Sequence, residues 1–248
     1  MITPIFDPRT VHRGPHLVSW LALSGAAGAV NAIAFAACAR FVTHVTGTLT
    51  RVGMDAAQPI LLAEYLLVLG AFVLGAALSV SLVEGPRWRG AVPRPWVPLA
   101  AVAVVLSGTS LVGSLGAFGP FGGSVEEPPD FALLAAIALA MGLQNASVAS
   151  ATGMLVRTTH MTGPATDLGI ALGTLAHDVP APVRDWARRS AMLRAGKIAA
   201  FAVGAGLGLA LASTLAYGAL LAPACVVALV AASTFASVPA PSRESAAP

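Results

Sequence analysis

The chain has 248 residues, of which 56% are hydrophobic and only 10% charged, with a formal net charge of +3 and a mean hydropathy of +0.80. Soluble domains carry about 25% charged residues, so a water-facing surface cannot be built from this composition and a soluble fold is excluded. The apolar stretches are apolar on every side rather than alternating, which excludes a transmembrane β-barrel and leaves an all-α membrane bundle.

In chain order, a short segment, 1–16, carries Arg9 and Arg13 ahead of the first apolar stretch. Six stretches then approach the roughly 20 residues needed to cross a bilayer core, at about 17–38, 60–83, 96–117, 131–152, 190–214 and 217–237. The first could be taken for a signal peptide, because it ends on a run of small residues up to Ala39. Its apolar run is too long for that, and a motif just after it recurs later, so it is read as a span. Pro and Arg punctuate 84–95, and Gly, Pro and the acids Glu126, Glu127 and Asp130 punctuate 119–130. The tail, 238–248, is rich in Ala, Ser and Pro, a composition that predicts disorder.

Basic residues set the orientation. With six crossings, Arg9, Arg13, Arg87, Arg89, Arg94, Arg157, Arg184, Arg188, Arg189 and Arg243 share one side, and Arg194 and Lys197 lie at the same end. The other side has only Arg40 and Arg51, together with the acids of the loop 119–130. Both termini are therefore expected in the cytoplasm, in a multi-pass protein of the bacterial inner membrane.

An eleven-residue pattern occurs twice. Thr43-His44-x-Thr46-Gly47-x-x-Thr50-x-x-Gly53 matches Thr159-His160-x-Thr162-Gly163-x-x-Thr166-x-x-Gly169. Upstream, Gly28-Ala29-Val30-Asn31-Ala32 echoes Gly142-Leu143-Gln144-Asn145-Ala146, and downstream Ala71-Phe72-Val73-Leu74-Gly75-Ala76 echoes Ala200-Phe201-Ala202-Val203-Gly204-Ala205. The chain thus reads as a first three-helix repeat, 17–118, an external loop, 119–130, and a second three-helix repeat, 131–237. Three crossings per repeat is an odd number, so the second repeat enters from the opposite face: an inverted-topology repeat, the architecture of many secondary transporters. A duplicated hairpin kept only for packing is the plainer alternative.

Each Thr-His-x-Thr-Gly turn precedes a short helical stretch, Thr48 to Ala57 in one half and Pro164 to about Ala176 in the other. These are too short to cross a bilayer, so they either lie at the interfaces or dip inward as half-helices. If they dip, the free N–H groups and positive dipole ends converge on an anion or polar solute, with Gly47 and Gly163 allowing close approach. Asn31, His44, Thr46, Gly47, Thr48, Asn145, His160, Thr162, Gly163, Thr166 and Asp167 are the candidate solute-binding residues.

Each candidate has a plainer use. His44 and His160 either relay protons or order their own turns. Asn31 and Asn145 either glue helices or face the site. Arg51 and Asp167 occupy equivalent positions and either pair across the repeat or snorkel to headgroups. Asp55 and Glu64 are placed at the outer interface, and His177 and Asp178 at the inner one. Ala71, Gly75 and Ser79, and again Ala200, Gly204 and Gly208, form small-residue ridges for close helix contact.

No cofactor is expected. Two histidines without a repeated carboxylate do not fill a metal's coordination sphere, and Cys38 and Cys225 both lie inside apolar stretches.

Four segments together, Gly28 to Ala32, Thr43 to Gly47, Met141 to Ala146 and Arg157 to Gly163, resemble the YoaK family of small bacterial membrane proteins, also called the domain of unknown function 1275. The resemblance spans nearly all of 17–237 and implies a multi-span inner-membrane protein of about this length, without supplying a substrate. Members often carry Asn directly after the first Thr-Gly, where this chain has Thr48, so solute details are expected to differ.

The leading reading is a secondary transporter or permease for a small polar or anionic solute, proton-coupled through His. The alternatives are a non-transporting sensor or assembly component, and a membrane enzyme, for which no catalytic motif is present. The expected partners are the lipid bilayer and the solute, not nucleic acid; a homo-oligomer stays open.

Overall fold

The computed structural model describes residues 5–6, 14–123 and 128–237. The N-terminal arginines Arg9 and Arg13, the loop acids Glu126 and Glu127, and the tail from 238 onward, with Arg243, lie outside the described residues. Among the described residues the chain is helix and turn, with no strand. In order these are α1 (Gly14–Cys38), α2 (Val45–Met54), α3 (Pro59–Trp88), α4 (Trp96–Ser114), α5 (Pro128–Ala151), α6 (Thr162–Leu175), α7 (Ala181–Leu215), a 3-10 turn (Ala216–Leu220) and α8 (Leu221–Ser237).

Five helical stretches are long and apolar enough to cross a membrane: His16–Cys38, Pro59–Trp88, Trp96–Ser114, Pro128–Ala151 and Ala181–Thr234. The last runs 54 residues, or about 80 Å at helical rise, more than twice a bilayer core. It is broken at Ala216, whose φ of 48° and ψ of −124° no helix continues. Large apolar side chains face outward on several helices, among them Val73, Leu74 and Leu78 of α3, Val104 and Leu111 of α4, Val203 and Leu207 of α7 and Leu229 of α8. A soluble bundle would bury them; acyl chains accept them at no cost. The chain is a helical, multi-pass membrane protein.

Two helix pairs organise the bundle. α1 packs along α7, and α3 along α5; α4 then bridges α5 and α8, while α2 rests on α3 and α6 on α7. Both crossings depend on glycine. A Cβ on Gly28 would stand 2.0 Å from the Phe201 carbonyl oxygen, and one on Gly142 would stand 2.0 Å from that of Phe72. No side chain fits there, so the backbones touch and the pair is held by dispersion and close packing rather than by a hydrophobic effect, which lipid does not supply. The predicted ridges make the other side of the same contacts: Gly75 meets Leu139, and Gly204 meets Gly25. Val30, Ile33, Ala34, Leu134, Ile137 and Met141 fill the space between.

The expected boundaries differ in places. α7 begins nine residues before the apolar run, because Arg184, Arg188 and Arg189 do not interrupt a helix that Pro182 starts well. α2 and α6 begin three and two residues earlier than Thr48 and Pro164. Pro164 sits in the first turn, where its missing N–H leaves no bond unmade. Glu64, expected at the outer interface, is fully buried in the protein: it lies in the second turn of α3 and is ion-paired with Arg40, just past the end of α1.

Candidate functional site

The turn after each first helix folds back into the bundle. α1 ends at Ala39, in the left-handed region with φ 53°, and α5 ends at Gly153 and Met154, with φ 59° and 68°. In the first half, Asn31 Oδ1 accepts hydrogen bonds from Val42 N and Thr43 N, both at 3.1 Å, and from Thr43 Oγ1 at 3.0 Å. Asn31 lies about two helical turns before the end of α1, so the turn retraces about 10 Å of the helix. In the second half Asn145 Oδ1 accepts from Thr159 N at 3.3 Å. Gln144, buried beside it, donates to the Leu23 carbonyl at 2.9 Å and to Thr158 Oγ1 at 3.2 Å, tying the turn to α1. Both asparagines sit three residues beyond the glycine crossings. The starts of α2 and α6 therefore lie beside the last two turns of α1 and α5, facing Phe72 and Phe201 near the middle of α3 and α7.

Neither start is capped by a side chain. The first backbone bond of α2 runs from Thr48 N to the His44 carbonyl at 2.9 Å, and that of α6 from Ala165 N to the Met161 carbonyl at 3.0 Å. The preceding N–H groups receive no capping bond from His44 or Met161. The His44 ring packs over Gly47, where a Cβ would lie 3.1 Å away, and the His160 ring packs over Gly163 at 2.9 Å. Among the described residues neither imidazole has a hydrogen-bond partner in the protein, so neither orders its own turn by a carbonyl bond.

The two turns meet in one cavity of about 500 Å³. Its lining takes seven residues from each half, and they are equivalent pairs: Asn31 and Asn145, Phe41 and Arg157, Thr43 and Thr159, His44 and His160, Val45 and Met161, Thr46 and Thr162, Phe72 and Phe201. Of the eleven candidates, Asn31, His44, Thr46, Asn145, His160 and Thr162 come together here. The other five do not. Gly47 and Thr48 line a side cavity of about 460 Å³ in the first half, and Gly163 and Asp167 line one of about 270 Å³ in the second. Thr48 is buried and bonds back to the His44 carbonyl, while Thr166 bonds back to the Thr162 carbonyl. His44 lines the central cavity and the first side cavity; His160 and Arg157 line the central one and the second. Each histidine stands on a partition.

The side cavities differ in charge. The first contains the Arg40–Glu64 pair, Tyr65 and Arg51, which is bound to Asp55 at 3.6 Å rather than to Asp167. Tyr65 donates its hydroxyl to Asp55 at 3.2 Å. The second contains Arg157, Arg194 and Lys197 against one acid, Asp167, which Arg194 binds at 3.1 Å. Lys197 is 1% exposed, and its ammonium donates to the Arg157 carbonyl. In the sequence Lys197 enters only the orientation count. A lone Lys in the apolar run Ala195 to Leu215 was the available signal for a functional position. Phe41, Phe72, Arg157 and Phe201 were not singled out as site residues either. Among the described residues no three His, Cys, Asp or Glu side chains are grouped to hold a metal.

No curated protein and no solved structure matches the chain. A family model does match, over residues 19–233, and it covers both turns, both asparagines and all the helices that line the cavity. The chain belongs to the family described as protein of unknown function, DUF1275.

Proposed function

We propose that the chain is a secondary transporter or permease of the bacterial inner membrane, carrying a small polar or anionic solute bound between the two Thr-Gly turns. In this reading six helices cross the bilayer as two inverted three-helix halves, with both termini in the cytoplasm. The observation that carries it is the meeting of two uncapped helix starts in one cavity at mid-bundle. Irregular backbone at that depth is tolerated where it lines a water-filled cavity, and half-helix N-termini are the usual way such a site holds an anion.

The seven equivalent pairs fit a site on a pseudo-two-fold axis, where rocking one half against the other would expose it to each face in turn. His44 and His160, each shared between the central cavity and a side cavity, are placed to exchange protons with the solute path. The solute is moved and not transformed.

The test needs no knowledge of the solute. With Cys38 and Cys225 changed to Ser, single cysteines go in at Thr46 and Thr162, which line the central cavity and are exposed to it. A membrane-impermeant thiol reagent is then applied from either face. Labelling of both positions, reachable from each face and slower than at interfacial controls, is the expected result. No labelling of either position means dry packing and a non-transporting component.

A further inference from the structure

Six of the seven pairs lining the central cavity set like against like, and the seventh sets Phe41 against Arg157. That one difference gives a near-symmetric chamber two unlike ends. At the first end, Phe41 stacks on Phe35 with ring centroids 4.6 Å apart and faces the His44 ring edge-on at 6.2 Å. At the other, Arg157 is the only charged residue of the lining. The ion pairs of the neighbourhood do not reach it: Asp167 is held by Arg194, Glu64 by Arg40 and Asp55 by Arg51. Lys197 fixes the Arg157 backbone and adds a second positive charge behind it. Phe72 and Phe201 add aromatic faces to the same lining.

We infer that the solute is an organic monoanion with an apolar body, its carboxylate on the Arg157 guanidinium and its body between Phe72 and Phe201, pointing toward Phe41. This names the solute class of the site proposed above and rests on that reading. The planar guanidinium offers paired donors that match a carboxylate, and the uncapped start of α6 adds N–H groups at the same end. A small inorganic anion would leave the aromatic walls unused, and a second charge on the solute would face Phe41. The volume of about 500 Å³ suits a body of one or two rings.

Benzoate, benzamide, acetate and inorganic phosphate separate the contributions of charge and ring. On the purified full chain in lipid nanodiscs, titration calorimetry is expected to find benzoate about tenfold or more tighter than the other three. Arg157→Gln is expected to bring benzoate down to the level of benzamide. Should that variant not fold, the wild-type arginine still permits a test. With a single cysteine at Thr162, benzoate should slow thiol labelling at least about threefold, while benzamide and acetate should not.

Benzamide binding as tightly as benzoate, equal protection by all probes, or no benzoate binding up to about 10 mM overturns the assignment. If the Thr162 cysteine is labelled from both faces and benzoate protects nothing, only the solute class falls. If it cannot be labelled at all, the transport reading falls and the solute class with it.

Discussion

The turn at His44 and the turn at His160 are latched by the same device, an asparagine carbonyl receiving backbone N–H groups, yet the charges around them are exchanged. Arg51 stands where the second half has Asp167, Val68 where it has Lys197, Tyr65 where it has Arg194 and Phe41 where it has Arg157. Glu64, buried against Arg40, corresponds to Leu193. Packing positions are copied and electrostatic positions are not. Repetition of glycine, asparagine and histidine builds two facing turns on one cavity, and departure from repetition makes one side cavity cationic and the other balanced.

The strongest way to break this comparison is at the crossings. Gly28→Leu and Gly142→Leu each push a side chain into a facing carbonyl oxygen, so both should cost about 3 kcal/mol or more and abolish monodisperse protein on gel filtration. If one is tolerated, the two crossings are not equivalent.

The ion pairs come next. Removing Arg40 leaves a fully buried carboxylate unpaired, so Arg40→Met should destabilise the protein by about 3 kcal/mol in thermal or denaturant unfolding. Arg194→Met releases Asp167, whose side chain is 48% exposed, and should cost under about 1 kcal/mol.

The latches fall between the buried and the exposed ion pair. Asn31→Ala removes three accepted bonds and Asn145→Ala one, so the costs should stand at about 2 and about 1 kcal/mol. Equal costs would mean that Gln144, and not Asn145, holds the second turn.

Much of this was legible in the sequence because it depends on length and repetition. Apolar runs of bilayer length mark the long helices, and the echoes around Gly28, His44 and Phe72 mark the positions that pack the two halves together. The lining of the cavity was half legible. Thr46 and Thr162 reach it because they precede the helix ladder, whereas Thr48, two residues on, and Thr166, four residues on, bond back to the His44 and Thr162 carbonyls. Hydroxyl spacing alone does not separate the two cases, since the helix start decides it and lies two to three residues earlier than proline and threonine suggest. In sequence Arg157 and Lys197 read only as orienting charges, because a rule about loops treats every basic residue near a span end in the same way. Only the folded-back turn brings Arg157 beside the middle of α7.

The cross-wise pairing of α1 with α7 and α3 with α5 has a consequence for biogenesis. Neither half contains its own closest helix partners, so neither half is a folding unit. Gly28 leaves the ribosome long before Phe201, with an interval of roughly 10–35 s at ordinary synthesis rates. Throughout that interval the groove on α1 meets lipid or an insertion chaperone, while α3 needs to wait only for α5. A chain cut between α4 and α5 should therefore yield two fragments that are degraded when made separately and assemble when made together.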